Sequence, residues 1–358
     1  MEVKTTSGVA TEKGRTVYFD LLRIIACFSV VVLHSASQFW YDLPVSDTNW
    51  LIANSYNALV RFGVPVFVMI SGAIFLFPGK EISTKRLYTH NILRMVIIYI
   101  LWNAVYGLFD CRNYDWSMLS SRDVITEMVY GRYHLWFLAM IVGLYMLVPI
   151  LRKWLSAAEK KDVQYFLVLF VLLQIGKETF FALQSNLLTY FLGGLISVEM
   201  VCSYVGYFVL GYYVVHYGIA SRWHKWIYLG GIIGAALNVL LGNVLALHRG
   251  EPTAAVYDSF SIFTLLMALA IFLLVKDGMG RKQWSGAAQK IIGEISRNTM
   301  GIYLMHILVL EWGRDYHIHS MMISPVAGIP LLSLGCFLLC LLVSAILRRI
   351  PLVGRYIC

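Results

Sequence analysis

Arg23 and His34 are a pair of residues whose types and spacing could do chemistry. They are eleven residues apart in an apolar stretch. Eleven residues make about three turns at 3.6 residues per turn, so on a helix both side chains face the same way, ~16 Å apart along the axis. An imidazole can act as a general base, and charged groups in an apolar helix usually mark a polar pathway or site. Asp20, three residues before Arg23, is its candidate ion-pair partner.

Later apolar stretches carry further polar residues. Arg61 begins the second stretch, where we expect it at about the depth of His34, and Pro65 and the Ser71-Gly72 pair are expected to kink or thin that helix. The other candidates for one shared polar cavity are His134, Glu199, Ser296, Tyr303 and His306. Each histidine could instead be a packing residue, Glu199 could pair with an arginine to hold helices together, and His134 could hydrogen-bond at the membrane interface.

Membrane helices are the elements that must position these residues. The 358-residue chain is 59% hydrophobic and 14% charged, with a mean hydropathy of +0.69, which is too apolar for a water-soluble protein. We predict an all-α polytopic membrane protein with one domain over 1–358, a cytosolic segment 1–17 and a cytosolic tail 348–358. The ten predicted spans are 18–39, 58–77, 92–109, 134–151, 164–183, 190–215, 226–247, 259–275, 291–312 and 326–347.

The distribution of charge supports this topology. With ten spans and the amino terminus inside, nineteen of the 29 Lys and Arg residues fall in cytosolic segments and six in external ones. This is the positive-inside pattern, so the net charge of +9 does not indicate nucleic-acid binding. The longest external connection, 110–133, is predicted to form a structured lid. The six cysteines match no disulfide framework, and neither they nor the histidines show metal-site spacing.

Six stretches, in order, resemble the motifs of the membrane acyltransferase 3 family and together cover nearly the whole chain. They are YFDLLRIIACFSVVVLH, RFGVPVFVMISGAIFLF, HNILRMVIIYILW, HLWFLAMIVGLYMLVPIL, YFVLGYYV and ISRNTMGIYLMH. The family's motif residues fall on Arg23, His34, Arg61, Ser71, Gly72, Arg94, His134, Trp136, Ser296, Tyr303 and His306. The fourth stretch resembles the subgroup that contains the enterobacterial common antigen O-acetyltransferase and the membrane half of the vancomycin-resistance serine racemase.

The resemblance implies an O-acyltransferase of the bacterial cytoplasmic membrane, with acyl-CoA as donor substrate, a glycan or lipid-linked sugar as acceptor, and no bound cofactor or metal. The lipid bilayer is its other partner, and a homo-oligomer is possible. The implied catalytic residues are His34, Arg61, Ser71 and His306. The implied donor-binding residues are Arg23, Arg86 and Arg94. Further candidates are Asp20, His134, Trp136, Glu199, Ser296 and Tyr303.

On this hypothesis acyl-CoA approaches from the cytosol and His34 acts either as the general base on the acceptor hydroxyl or as a transient acyl carrier. Arg61 or Ser71 would stabilise the oxyanion that forms on the thioester carbonyl. A rival hypothesis from another class is a transporter or flippase that uses the same buried charges to move a small polar substrate.

Overall fold

The computed structural model describes residues 16–79, 82–111, 125–126, 128, 131–183, 199–280, 282–351 and 354. Within these ranges the regular structure is all helical, which confirms the predicted class. The first helices are α1 (Val17–Ala36), α2 (Thr48–Val60), α3 (Gly63–Phe75), α4 (Leu93–Cys111), α5 (Trp136–Ala157) and α6 (Lys160–Leu169). The later ones are α7 (Lys177–Leu183), α8 (Glu199–His216), α9 (Ser221–Arg249), α10 (Ile262–Leu273), α11 (Gly286–Asp315) and α12 (Pro325–Leu347).

Short helical segments of other types extend several of these helices. A helical turn Thr84–Arg86 and a π-helical segment Leu87–Ile92 lead into α4, and a π-helical segment Phe170–Gly176 joins α6 to α7. A 3₁₀ turn Tyr133–Leu135 precedes α5, and a π-helical segment Leu274–Met279 follows α10. The predicted lid at 110–133 lies mostly outside the described residues.

Eight helical segments in the described ranges are long and apolar enough to cross a membrane. They correspond to eight of the ten predicted spans, so the chain is a multi-pass membrane protein. Of the other two, 190–215 lies partly outside the described residues, and 291–312 falls within α11, which is not one of the eight. The count of ten and the cytosolic placement of both termini therefore stay predictions.

The second predicted span, 58–77, begins too late in the sequence and is not one continuous helix. The structure begins the helix at Thr48 and breaks it at Arg61 and Phe62, between α2 and α3. Pro65 explains the break, because its ring clashes with the carbonyl four residues earlier, that of Arg61, and it has no N–H to donate there. The break leaves Arg61 as the residue that ends α2.

Helix α1 lies at the centre of the bundle and contacts α2, α3, α11 and α12. Helices α3 and α8 pack even more closely, because glycines replace side chains at their contact. A Cβ on Gly72 would lie 1.7 Å from the carbonyl oxygen of Phe208, and a Cβ on Gly211 would lie 1.9 Å from that of Met69. The predicted close backbone approach at Gly72 is therefore confirmed.

Helix α11 is rich in polar residues, yet many of them are buried in the bundle. The Asn298 amide donates to the Glu294 carbonyl oxygen at 2.8 Å and accepts from the Ser344 hydroxyl at 2.9 Å. The Thr299 hydroxyl donates to the Ser296 carbonyl oxygen at 2.8 Å. Because buried polar groups are tolerated when they are hydrogen-bonded, α11 can carry polar side chains into the interior.

Candidate functional site

A cavity of about 1260 Å³ follows α1 through the bundle. Arg23, His34 and Tyr41 all line it, so it extends along about three and a half turns of α1 and into the loop that follows. The shared face predicted for Arg23 and His34 is confirmed. We call the end of the cavity at Arg23 the inner end and the end at Arg314 the outer end.

His34 and His306 form a hydrogen-bonded pair beside the cavity. Their Nδ1 and Nε2 atoms, respectively, are 2.9 Å apart, and the Nδ1 of His306 is 2.6 Å from the Tyr303 carbonyl oxygen. A carbonyl can only accept, so Nδ1 of His306 carries the proton, and Nε2 of a neutral His306 is an acceptor. His34 must then donate from Nδ1. Its Nε2 is left unprotonated, with the lone pair that a base or nucleophile needs.

His134 completes a cluster of three imidazoles. Its ring centroid lies 5.4 Å from that of His306 and 6.3 Å from that of His34. The side chain is 2% exposed, and neither ring nitrogen makes a hydrogen bond of good geometry to the described residues. Its backbone carbonyl accepts from the Tyr303 hydroxyl. His134 is therefore buried beside the histidine pair, and the alternative of an interfacial hydrogen bonder is wrong.

The inner end of the cavity carries charged and hydroxyl groups. Arg23 pairs with Asp20 at 3.3 Å, as predicted, and the same carboxylate oxygen accepts from the Ser296 hydroxyl at 2.6 Å. Arg94 also lines the cavity wall. Asp20 therefore fixes Arg23 and Ser296 to each other across α1 and α11, although the sequence suggested only the Arg23 pair.

Ser71 lies towards this inner end rather than beside His34. Its hydroxyl faces that of Tyr145, which is within electrostatic range of Arg23. Ten residues along the chain, mostly through α3, separate Ser71 from Arg61, a rise of ~15 Å at 1.5 Å per residue. The structure thus places Arg61, but not Ser71, at the level of the histidine pair.

Arg61 reaches the cavity from the break between α2 and α3. Its guanidinium carbon lies 5.1 Å from the centroid of the Tyr257 ring, a cation–π contact. Its Nε is buried and makes no hydrogen bond to the described residues. Arg61 and His34 share the cavity wall and are within electrostatic range of each other.

Ion pairs close around the outer end. Arg132 pairs with Glu311 and, at 3.1 Å, with Asp110, while Arg314 pairs with Asp42 at 2.7 Å. Burial alone would lower the pKa of Arg132, but Glu311 and Asp110 outweigh it and raise this pKa above its ordinary value. Arg132 therefore stays charged and ties the segment before α5 to α11.

Of the three remaining predicted site residues, one lines the cavity, one lies elsewhere and one cannot be placed. Arg86 is exposed and is not part of the cavity wall, so the structure does not bring it to Arg23 and Arg94. Trp136 does line the cavity and packs on Tyr204, with ring centroids 5.7 Å apart. The side chain of Glu199 lies outside the described residues.

Two residues that the sequence did not single out also belong to the site. Tyr133 lines the cavity, with its ring centroid 5.6 Å from that of His34, and Glu311 lines it farther out. Tyr133 directly precedes His134, the first residue of the HLWFL motif, and this position next to the motif is the feature of the sequence that points to it. Among the described residues, no group of three or more His, Cys, Asp or Glu side chains is placed to hold a metal ion.

A family model described as an acyltransferase domain matches residues 16–348, nearly the whole chain. No curated protein and no solved structure matches. The match includes every described helix that lines the cavity. The chain therefore belongs to the acyltransferase 3 family, and it is a multi-pass membrane acyltransferase.

Proposed function

We propose that the protein is an O-acyltransferase of the bacterial cytoplasmic membrane, which moves an acyl group, most simply acetyl, from acyl-CoA to a hydroxyl of an extracytoplasmic or lipid-linked glycan. The observation that carries the proposal is the single cavity that links a cationic end at Arg23 to the His34–His306 pair. Such a cavity can hold a donor and an acceptor at the two sides of one nucleophilic nitrogen.

The donor binds from the inner end. Phosphate groups favour arginine, which offers several N–H donors in a fixed planar arrangement. Arg23 and Arg94 line the wall there and would take the phosphates of acyl-CoA. The slender pantetheine arm would then follow α1 for the ~16 Å between Arg23 and His34. Arg86 is exposed and outside the wall, so we leave it out of this donor site.

The transfer takes place at Nε2 of His34. This nitrogen removes the proton from the acceptor hydroxyl as the oxygen attacks the thioester carbonyl carbon. The new C–O bond forms, the C–S bond breaks, and the departing CoA thiolate takes the proton from the His34 imidazolium. His306 accepts from Nδ1 of His34 throughout, so Nε2 is the nitrogen that takes up and gives back the proton.

A covalent route would use the same lone pair. Nε2 of His34 would attack the thioester carbon, CoA thiolate would leave, and the acyl-imidazole would be transferred to the acceptor oxygen. Radiolabelled acetyl-CoA without an acceptor distinguishes the two routes, since only the covalent route leaves label on the protein.

The experiment that tests the proposal compares His34→Ala with His248→Ala in purified full-length protein. His248 is exposed at the end of α9 and serves as the matched control. We expect His34→Ala to abolish CoA release from acetyl-CoA and acyl transfer, while His248→Ala keeps both at the wild-type level. Transfer by a normally folded His34→Ala protein would overturn the proposal.

The length of the cavity also favours a second candidate function, transport of a small polar substrate across the membrane. Proteoliposomes separate the two functions. Uptake of a labelled substrate without consumption of acetyl-CoA would support transport, whereas CoA release with label on a glycan supports the acyltransferase.

A further inference from the structure

No carboxylate among the residues that the structure describes forms an ion pair with Arg61. Its Nε has no hydrogen-bond partner in the described part of the chain. Three other arginines of the cavity wall each pair with a carboxylate: Arg23 with Asp20, Arg297 with Glu294, and Arg314 with Asp42. Among these four, Arg61 alone lacks a carboxylate partner within the described ranges.

The local structure offsets the charge of Arg61 only in part. Arg61 ends α2, where the helix dipole places a partial negative charge of about half an elementary charge. The ring of Tyr257 adds a cation–π contact, which leaves the N–H groups of the guanidinium free to bind other groups. An uncompensated cation inside a membrane is expensive. Its retention at a cavity therefore points to an anionic ligand.

The position of Arg61 assigns this anion to the acceptor. Tyr257, which Arg61 contacts, lies in the connection between α9 and α10, and Ser259 of the same connection also lines the cavity. The donor phosphates would lie near Arg23, ~16 Å from His34 along α1. An anion bound by Arg61 would therefore lie near His34 and away from the donor phosphates at Arg23, where the acceptor would bind.

We propose that the acceptor carries a permanent anionic group, a carboxylate or a phosphate, close to the hydroxyl that is acylated, and that Arg61 binds this group. The inference rests on the proposed acyl transfer and names the class of its acceptor. It also changes the role expected for Arg61 from the sequence. An oxyanion on the thioester carbonyl exists only briefly, whereas a permanent anion compensates the arginine for as long as the acceptor is bound.

Binding to the purified full-length protein tests the inference without requiring catalysis. The probes are two matched pairs, methyl glucuronide with methyl glucoside, and N-acetylglucosamine 1-phosphate with N-acetylglucosamine. We expect the anionic member of at least one pair to bind about tenfold or more tightly than its neutral twin, as is usual for hydrogen bonds to charged groups. A preference in the first pair identifies a carboxylate, and a preference in the second identifies a phosphate.

Three variants locate the preference. Arg61→Gln should remove it, and Arg61→Lys should keep part of it because the charge remains. Arg314→Gln is the matched control, since this arginine also lines the cavity but is already paired with Asp42. It should keep the full preference. Equal binding within both pairs by the wild type, or a preference that survives in Arg61→Gln, would overturn the inference.

Turnover of acetyl-CoA separates this inference from the proposed function. Anion preference without any CoA release would support the anion site and contradict the acyltransferase. CoA release at equal kcat/KM with charged and neutral acceptors would support the acyltransferase and contradict the anion site. If Arg61→Gln instead lowered kcat equally for charged and neutral acceptors and left KM unchanged, Arg61 would be an oxyanion donor and the inference would fail.

Discussion

Replacement of His306 tests whether it positions His34. His306→Leu keeps a side chain of similar size in a fully buried position but removes the acceptor for Nδ1 of His34. His306→Gln is the conservative partner, because its amide oxygen can stand near the place of the lost Nε2. We expect the Leu variant to lose kcat and the Gln variant to recover much of it, with the KM for acetyl-CoA changed in neither.

The magnitude follows from the hydrogen bond that is lost. A buried donor left without its partner costs about 1–3 kcal/mol. At 1.36 kcal/mol per factor of ten, this corresponds to ~5–150-fold in kcat. The Val30 carbonyl, one turn earlier on α1, lies near the His34 ring and can accept from Nδ1 once His306 is replaced, which would retain part of the orientation. We therefore expect the lower part of the range, about 5–30-fold.

The assay is CoA release under saturating acetyl-CoA and acceptor, with thermal unfolding in detergent as the check on folding. A purely structural role for His306 would lower stability and leave kcat per folded molecule unchanged. The reasoning is refuted if a folded His306→Leu protein has the wild-type kcat, or if His306→Gln is as slow as His306→Leu.

Two further changes probe the packing of the bundle and the donor end. Gly72→Ala should lower the melting temperature, because its Cβ would lie 1.7 Å from the backbone oxygen of Phe208 and overpacking costs about 1–3 kcal/mol. Gly143→Ala is the control and should leave the melting temperature unchanged, since a Cβ there meets nothing within 4 Å. Equal melting temperatures for the two variants would contradict the packing argument. Arg23→Gln should raise the KM for acetyl-CoA about tenfold through a lost charged hydrogen bond, with a smaller change in kcat, and an unaltered KM would remove Arg23 from the donor site.

The sequence predicted those features of the site that depend on local geometry. The common face of Arg23 and His34 follows from helical periodicity, and the ion pair of Arg23 with Asp20 follows from their separation of three residues. The close approach at Gly72 follows from the absence of a side chain. In the first two cases the residues lie on one helix. In the third, the missing side chain of glycine allows any neighbouring helix to approach closely.

The features that the sequence did not predict depend on contacts between distant parts of the chain. His34 and His306 are 272 residues apart, and only the packing of α1 against α11 shows that their rings are hydrogen-bonded. His134 is buried because the 3₁₀ turn before α5 folds against that pair. Ser71 matched a motif, but its contact with Tyr145 depends on how α3 packs against α5.

The break at Arg61 also separates two groups of helices that are held together in different ways. Helix α2 is tied to the connection after α9 by the hydrogen bond from the Tyr257 hydroxyl to the Asn54 amide oxygen, and to α9 itself by the 2.6 Å bond from Asn54 to Asn243. Helix α3 is instead locked backbone to backbone against α8. Arg61 belongs to the first group, at the end of α2, and stacks on its tyrosine. We therefore expect a ligand that moves this side chain to act first on α2 and α9, and less on α3, which is held against α8.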